Sequence, residues 1–143
     1  MSERNPGKSL HDKVSGEHRR LEEMFEDLRA ALRPQENDAG ALPAASEVLE
    51  EMREELEAHF DVEERLYYPS LWALRPERKA PLHALLQRHP RFLTQLEKIA
   101  RSLQVEALSE AETLFDSFAS DFALHEDAEE TLLKNLEQTL PPT

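Results

Sequence analysis

Apolar residues recur along this chain in alternating steps of three and four, the spacing that keeps side chains on one face of a helix. Four such stripes can be followed. The first is His11, Val14, His18, Leu21, Phe25, Leu28 and Leu32; the second is Ala45, Leu49, Met52, Leu56, His59, Glu63 and Leu66. The third is Leu82, Leu85, His89, Phe92, Leu96, Ile99 and Leu103; the fourth is Ala111, Phe115, Phe118, Phe122, His125, Glu129, Leu132, Leu136 and Leu140. Each stripe predicts an amphipathic helix, and no segment shows the strict alternation of a half-buried strand.

Punctuation residues set the boundaries. Residues 1–8 are polar, contain Pro6 and Gly7, and are expected to form a disordered lead. Ser9 is positioned to cap a first helix that runs to about Arg33, before Pro34 and the polar run to Gly40 stop it. A second helix is expected from Pro43 to Leu74, with Pro76 marking the turn, and a third over residues 80–104. The fourth spans 110–139, opened by the capping-box pattern Ser109-Glu110-Ala111-Glu112 and closed by Pro141 and Pro142. Pro69 and Pro90 fall inside helical pattern and are expected to kink their helices. The alternative, in which Pro90 begins a separate helix, would place His89 at a bundle end. Short connections make sequential helices antiparallel, so residues 9–140 are expected to form one all-α, up-down-up-down four-helix bundle.

The stripes carry an anomaly. His18, His59, His89 and His125 each interrupt apolar positions, and His59 and His125 are followed four residues later by Glu63 and Glu129. Counting along antiparallel helices brings all six to one level, because His18 lies as far from the end of the first helix as His59 lies from the start of the second. The third and fourth helices match in the same way. Residues four apart on a helix point the same way about 6 Å apart, so each HxxxE pair can set an imidazole and a carboxylate on one cation. Without a cation, each buried charge costs several kcal/mol against a total stability of about 5–15 kcal/mol. A metal satisfies all six groups at once. Imidazole with carboxylate suits iron, manganese or zinc rather than calcium, and the absence of cysteine leaves only such ligands.

A histidine on the first helix, 59-HFDVE-63 continuing into ERLYYPSL on the second, a histidine on the third and 125-HEDAE-129 on the fourth together resemble the hemerythrin-like, or HHE cation-binding, family over residues 9–138. The resemblance implies a non-heme di-iron centre in a four-helix bundle. His18, His59, His89 and His125 would be terminal ligands, with Glu63 and Glu129 bridging. The first two helices would serve one iron and the last two the other. Oxygen-carrying members have HxxxH on the third helix and HxxxxD on the fourth. Here Leu93 stands four after His89, leaving one iron an imidazole short. The expected role is therefore sensing or scavenging of O2, NO or peroxide, or handling of iron, rather than reversible oxygen carriage. The ligand would be a small diatomic or anion such as azide. Zinc or manganese could replace iron. An oxidase or peroxidase at the open iron and a metal-free structural bundle are the rival readings. The ferritin-type Glu-x-x-His signature is missing, since Leu56 and Phe122 precede His59 and His125 by three.

Other candidates take smaller parts. Tyr67, four residues from Glu63, either packs in the core or directs its hydroxyl to a bridging carboxylate or a vacant coordination position. His11 lies two turns from His18, too far for a shared cation, and is expected to pack at the bundle end. His83 and Glu22 read as surface. Glu64 and Glu130 point off the stripes and are expected to meet Lys, Arg or water. Gly7-Lys8-Ser9 lacks the first glycine and the strand of a phosphate loop.

With 143 residues, a net charge of -13 and a pI near 4.9, the chain is a single acidic domain with no clustered basic surface for nucleic acid or anionic membranes. No apolar run approaches a membrane span, and Met1–Gly16 lacks the apolar core of a signal peptide. A cytoplasmic monomer or dimer is expected.

Overall fold

A computed structural model of the chain describes residues 6–33 and 41–139. The elements are α1 (Pro6–Leu32), α2 (Ala41–Val62), a π-helical turn (Glu63–Tyr67), α3 (Tyr68–Leu74), a 3-10 turn (Pro76–Arg78), α4 (Lys79–Leu86), α5 (His89–Gln104) and α6 (Leu108–Thr139). There is no strand among the described residues. α1 packs on α2 and α6, and α5 packs on the same two helices. The four long helices thus surround a common core in the order α1, α2, α5, α6. The bundle is all-α, as the stripes required.

α1 starts at Pro6, whose fixed φ suits a first helical turn, and so begins before Ser9. Of the expected lead, residues 1–5 lie outside the described residues. So do the stop from Pro34 to Gly40 and the terminators Pro141 and Pro142, while nothing is described of the Ser9, Leu136 and Leu140 side chains.

Two departures from the heptad pattern shape the middle of the bundle. After Val62 the second helix widens for one turn, and the Tyr68 N–H bonds the Glu63 carbonyl, five residues back instead of four. Pro69 comes immediately after. It has no N–H to give and its ring crowds the carbonyl four residues earlier, which a wider turn relieves. The extra residue in the turn rotates everything downstream, so Leu66, expected in the core, is 56% exposed and Tyr67 and Tyr68 are buried instead. The second departure is at Pro90. The third helix is not one kinked rod but two helices, α4 and α5, separated by a turn at Gln87 and Arg88, with Pro90 in the first turn of α5. The break falls at the level of the histidines rather than at the bundle end. Leu82 and Leu85 of α4 stay buried on one side of His89, and Phe92 and Leu96 of α5 on the other.

α5 closes with Glu106 in the left-handed region, φ 59°. The Ala107 N–H bonds the Ser102 carbonyl and the Glu106 N–H bonds that of Leu103, so the chain reverses tightly into α6. α6 starts at Leu108, which places Ser109 inside the first turn rather than at the cap. Further along, Leu133 is buried and Leu132 only half-buried, because 3.6 residues per turn drifts away from a strict heptad.

The core is split in two. One apolar cluster holds all six phenylalanines together with Leu21, Leu28, Met52, Leu56, Leu96 and Ile99. A smaller one holds Val14, Tyr67, Tyr68, Leu71, Leu82, Leu85 and Leu133. On α1 and α6 and across the α4–α5 break the chain crosses from one cluster to the other at a histidine, and on the second helix it crosses just past His59 and Phe60, around Glu63.

Candidate metal centre

The slab between the two clusters contains His18, His59, Glu63, His89, His125 and Glu129, all buried. The structure brings together every residue that the helical spacing placed there. His18 Nε2 lies 2.7 Å from Glu129 Oε1, His59 Nε2 lies 3.1 Å from Glu63 Oε2, and His89 Nε2 lies 3.2 Å from Glu63 Oε1. These are close approaches without hydrogen-bond alignment. His18 Nε2, His89 Nε2, both oxygens of Glu63, Glu129 Oε1 and both ring nitrogens of His125 make no hydrogen bond. So many orphaned polar atoms in one buried layer would be costly unless a further group satisfies them.

They fall into two groups, each with ligand atoms within 4.8 Å of one another: His18, His59, Glu63 and Glu129, and then Glu63, His89 and His125. α1 and α2 supply the histidines of the first, α5 and α6 those of the second. Glu63 belongs to both, with one oxygen toward His59 and the other toward His89. Glu129 stands with the first group only, because its second oxygen accepts a hydrogen bond from the Tyr68 hydroxyl. A nitrogen-and-oxygen donor set of this kind fits one or two first-row transition cations.

The outward nitrogens are handled differently. His59 Nδ1 lies 2.6 Å from Glu17 Oε1, His89 Nδ1 lies 2.8 Å from Glu64 Oε2, and His18 Nδ1 lies 2.7 Å from Glu130 Oε2. A carboxylate on Nδ1 takes the ring proton there and leaves Nε2 as a lone-pair donor facing inward. Ser15 steadies Glu130 at 3.0 Å, and Tyr67 donates to Glu17 at 2.8 Å.

A family model, the hemerythrin HHE cation binding domain, matches residues 9–136. The chain belongs to this family. No curated protein and no solved structure matches it.

Within this HHE domain, electrostatics set the two groups apart. Burial opposes a charge on His18, but Glu129, Glu126 and Glu130 outweigh it and raise its pKa to about 9. Burial dominates at His89 and His125 and lowers each to about 4, so both imidazoles are neutral at ordinary pH. Burial and the neighbouring Glu129 push Glu63 well above the carboxylate range. Although burial works the other way on Glu129, contacts with Glu63 and His18 hold it well below that range. Burial and the adjoining carboxylates push the Tyr68 phenol far up, which keeps it a hydrogen-bond donor.

Several partners differ from those the sequence suggests. Glu64 and Glu130, although each stays partly exposed, turn one carboxylate oxygen inward to hold His89 and His18 instead of a Lys or Arg. Tyr67 packs in the smaller cluster, one of its two expected roles, and its hydroxyl donates to Glu17, while it is Tyr68 that donates to Glu129. Two further residues of the site do not stand out in the sequence: Glu17, and Glu126, which is buried 3.7 Å from His18 Nδ1 and raised to about 8, first by burial. The available signal is adjacency, since Glu17, Glu64, Glu126 and Glu130 each sit one residue from a member of the layer. His83 and Glu22 are exposed, and His11 is half-buried at the end of α1. A cleft of about 300 Å³ between α1 and α2 has Glu17, Arg20, Glu55 and His59 on its walls. No described helix is long and apolar enough to cross a membrane.

Proposed function

We propose that this chain is a non-heme di-iron protein that senses or scavenges a small ligand such as O2, NO or peroxide, or handles iron, and does not carry oxygen reversibly. The observation that carries the reading is the pair of buried ligand groups joined through Glu63, whose inward atoms find no partner in the protein. On this reading His18, His59, His89 and His125 are terminal ligands, Glu63 is the carboxylate shared by both groups, and Glu129, a second bridge by the family resemblance, stands with the first group. Iron would supply one-electron chemistry and a coordination position for a small molecule; manganese could replace it, and zinc would keep the structure without the redox step. Glu17, Glu64 and Glu130 fix three rings with Nε2 inward, and Tyr68 holds Glu129 from the far side. Leu93, half-buried against the phenylalanine cluster, offers no fifth imidazole. A cytoplasmic location is part of the same proposal.

The test is metal content after purification without chelators. About two irons per chain are expected, and His59→Ala or Glu63→Ala should lower this sharply. Equal metal in wild type and both variants would overturn the assignment.

A further inference from the structure

The carboxylates behind the histidines follow a rule around the bundle. In the order α1, α2, α5, α6, a residue next to each helix's layer position reaches the histidine of the following helix. Glu17, one before His18, reaches His59; Glu64, one after Glu63, reaches His89; Glu130, one after Glu129, closes the circle on His18. α1 and α5 run the same way, so the α5 counterpart of Glu17 is the residue one before His89. That residue is Arg88. The histidine it would serve, His125, has no hydrogen bond at either nitrogen, is faced by Phe92, Phe122 and His89, and feels Arg88 as a like charge.

We propose that this gap divides the centre into one retained and one exchangeable cation position. A divalent first-row cation on His18, His59, Glu63 and Glu129 stays; one on Glu63, His89 and His125 comes and goes. The proposal rests on reading the layer as a two-metal centre. A carboxylate behind a ligand histidine fixes the ring and raises its basicity, and losing one typically costs about 10- to 100-fold in metal affinity. The first position has two backed imidazoles and Glu129 besides Glu63. The second has one backed imidazole, one bare one and a cationic side chain nearby. The exchangeable ion is then the cargo or the occupancy signal, and the retained ion keeps the bundle assembled.

The experiment loads the full chain with Fe(II) under anaerobic conditions and follows release to bipyridine. Two phases of one ion each are expected, about tenfold or more apart. Arg88→Glu completes the circle and should slow the fast phase alone, and Glu64→Gln should speed it. Glu130→Gln should speed only the slow phase. Helical circular dichroism checks that each variant is folded. Two ions leaving in one phase, or an Arg88→Glu protein that releases as wild type does, would overturn the exchange proposal and leave the two-metal reading standing. Protein that retains no iron from the outset overturns both.

Discussion

The two HxxxE helices share a motif and differ in the turn just beyond it. α6 continues as a regular helix past Glu129, and Leu133, four residues on, returns to the same face and is buried. The second helix opens into a π-helical turn at Glu63, so the corresponding face is taken by Tyr67 and Tyr68. The difference is chemical as well as geometric. The regular helix delivers apolar packing, whereas the widened one delivers two hydroxyls to the layer, one of them to the carboxylate of α6 itself. Tyr67 holds the same offset from Glu63 that Leu133 holds from Glu129, and the one extra residue of the wide turn brings the second hydroxyl, that of Tyr68, to the same side.

The largest expected effect concerns the two glutamates. Glu63 spans both ligand groups and Glu129 stands in one, so Glu63→Ala should abolish metal retention while Glu129→Ala leaves about one ion per chain. Metal analysis of the purified variants decides it, and an intact second ion in Glu63→Ala would break the asymmetry. Next comes packing. Leu133→Ala should cost about 2–5 kcal/mol in urea unfolding, but Leu66→Ala less than about 0.5 kcal/mol, since only Leu133 is buried. A similar cost for both would show that Leu66 is buried in solution, against the outward position the wide turn gives it.

Tyr68→Phe removes the donor to Glu129 and should destabilise the metal-free protein by about 1–3 kcal/mol, more than Tyr67→Phe, whose partner Glu17 is half-exposed. Deleting Leu66 is a gentler probe. It should convert the wide turn to an ordinary one without moving Tyr68, and the melting temperature and metal content should change little. Deleting Thr131, in the regular helix, should swing Leu133 out of the core and lower both. The smallest effect is in acid. His125 on α6 is held to about 4, against an ordinary value near 6.5, so the unfolded chain binds the additional proton in between. His125 should therefore contribute a loss of stability to the metal-free protein as pH falls from about 6.5 to 4, opposed by Glu126 and Glu63, whose raised carboxyls already hold protons in the folded state; His125→Gln should remove the loss and leave the opposing gain.

The four stripes are legible because burial selects apolar residues at helical spacing, and the six layer residues stand out as polar groups where that spacing demands core. The chain's own exceptions are not legible. A π-helical turn needs only one residue more than an α-turn, and nothing in ERLYYP separates Leu66-in from Tyr67-in until Pro69 is weighed against the carbonyl behind it. Pro90 reads as a kink because the Leu82, Leu85, His89, Phe92 stripe stays in register across the break. Glu17, Glu64 and Glu130 look like solvated helix faces. Their role depends on which helix lies next door, a fact of the bundle rather than of any one segment.

Two apolar islands separated by a polar slab are only weakly obliged to open together. In the metal-free protein, orphaned nitrogens and oxygens lie between the phenylalanine end and the tyrosine end, and local openings can stop at that seam. A cation bound by residues of α1, α2, α5 and α6 ties the islands into one cooperative unit. Metal occupancy then governs how the molecule comes apart: amide hydrogens at its two ends exchange as separate populations without the ion, and as a single one when it is held.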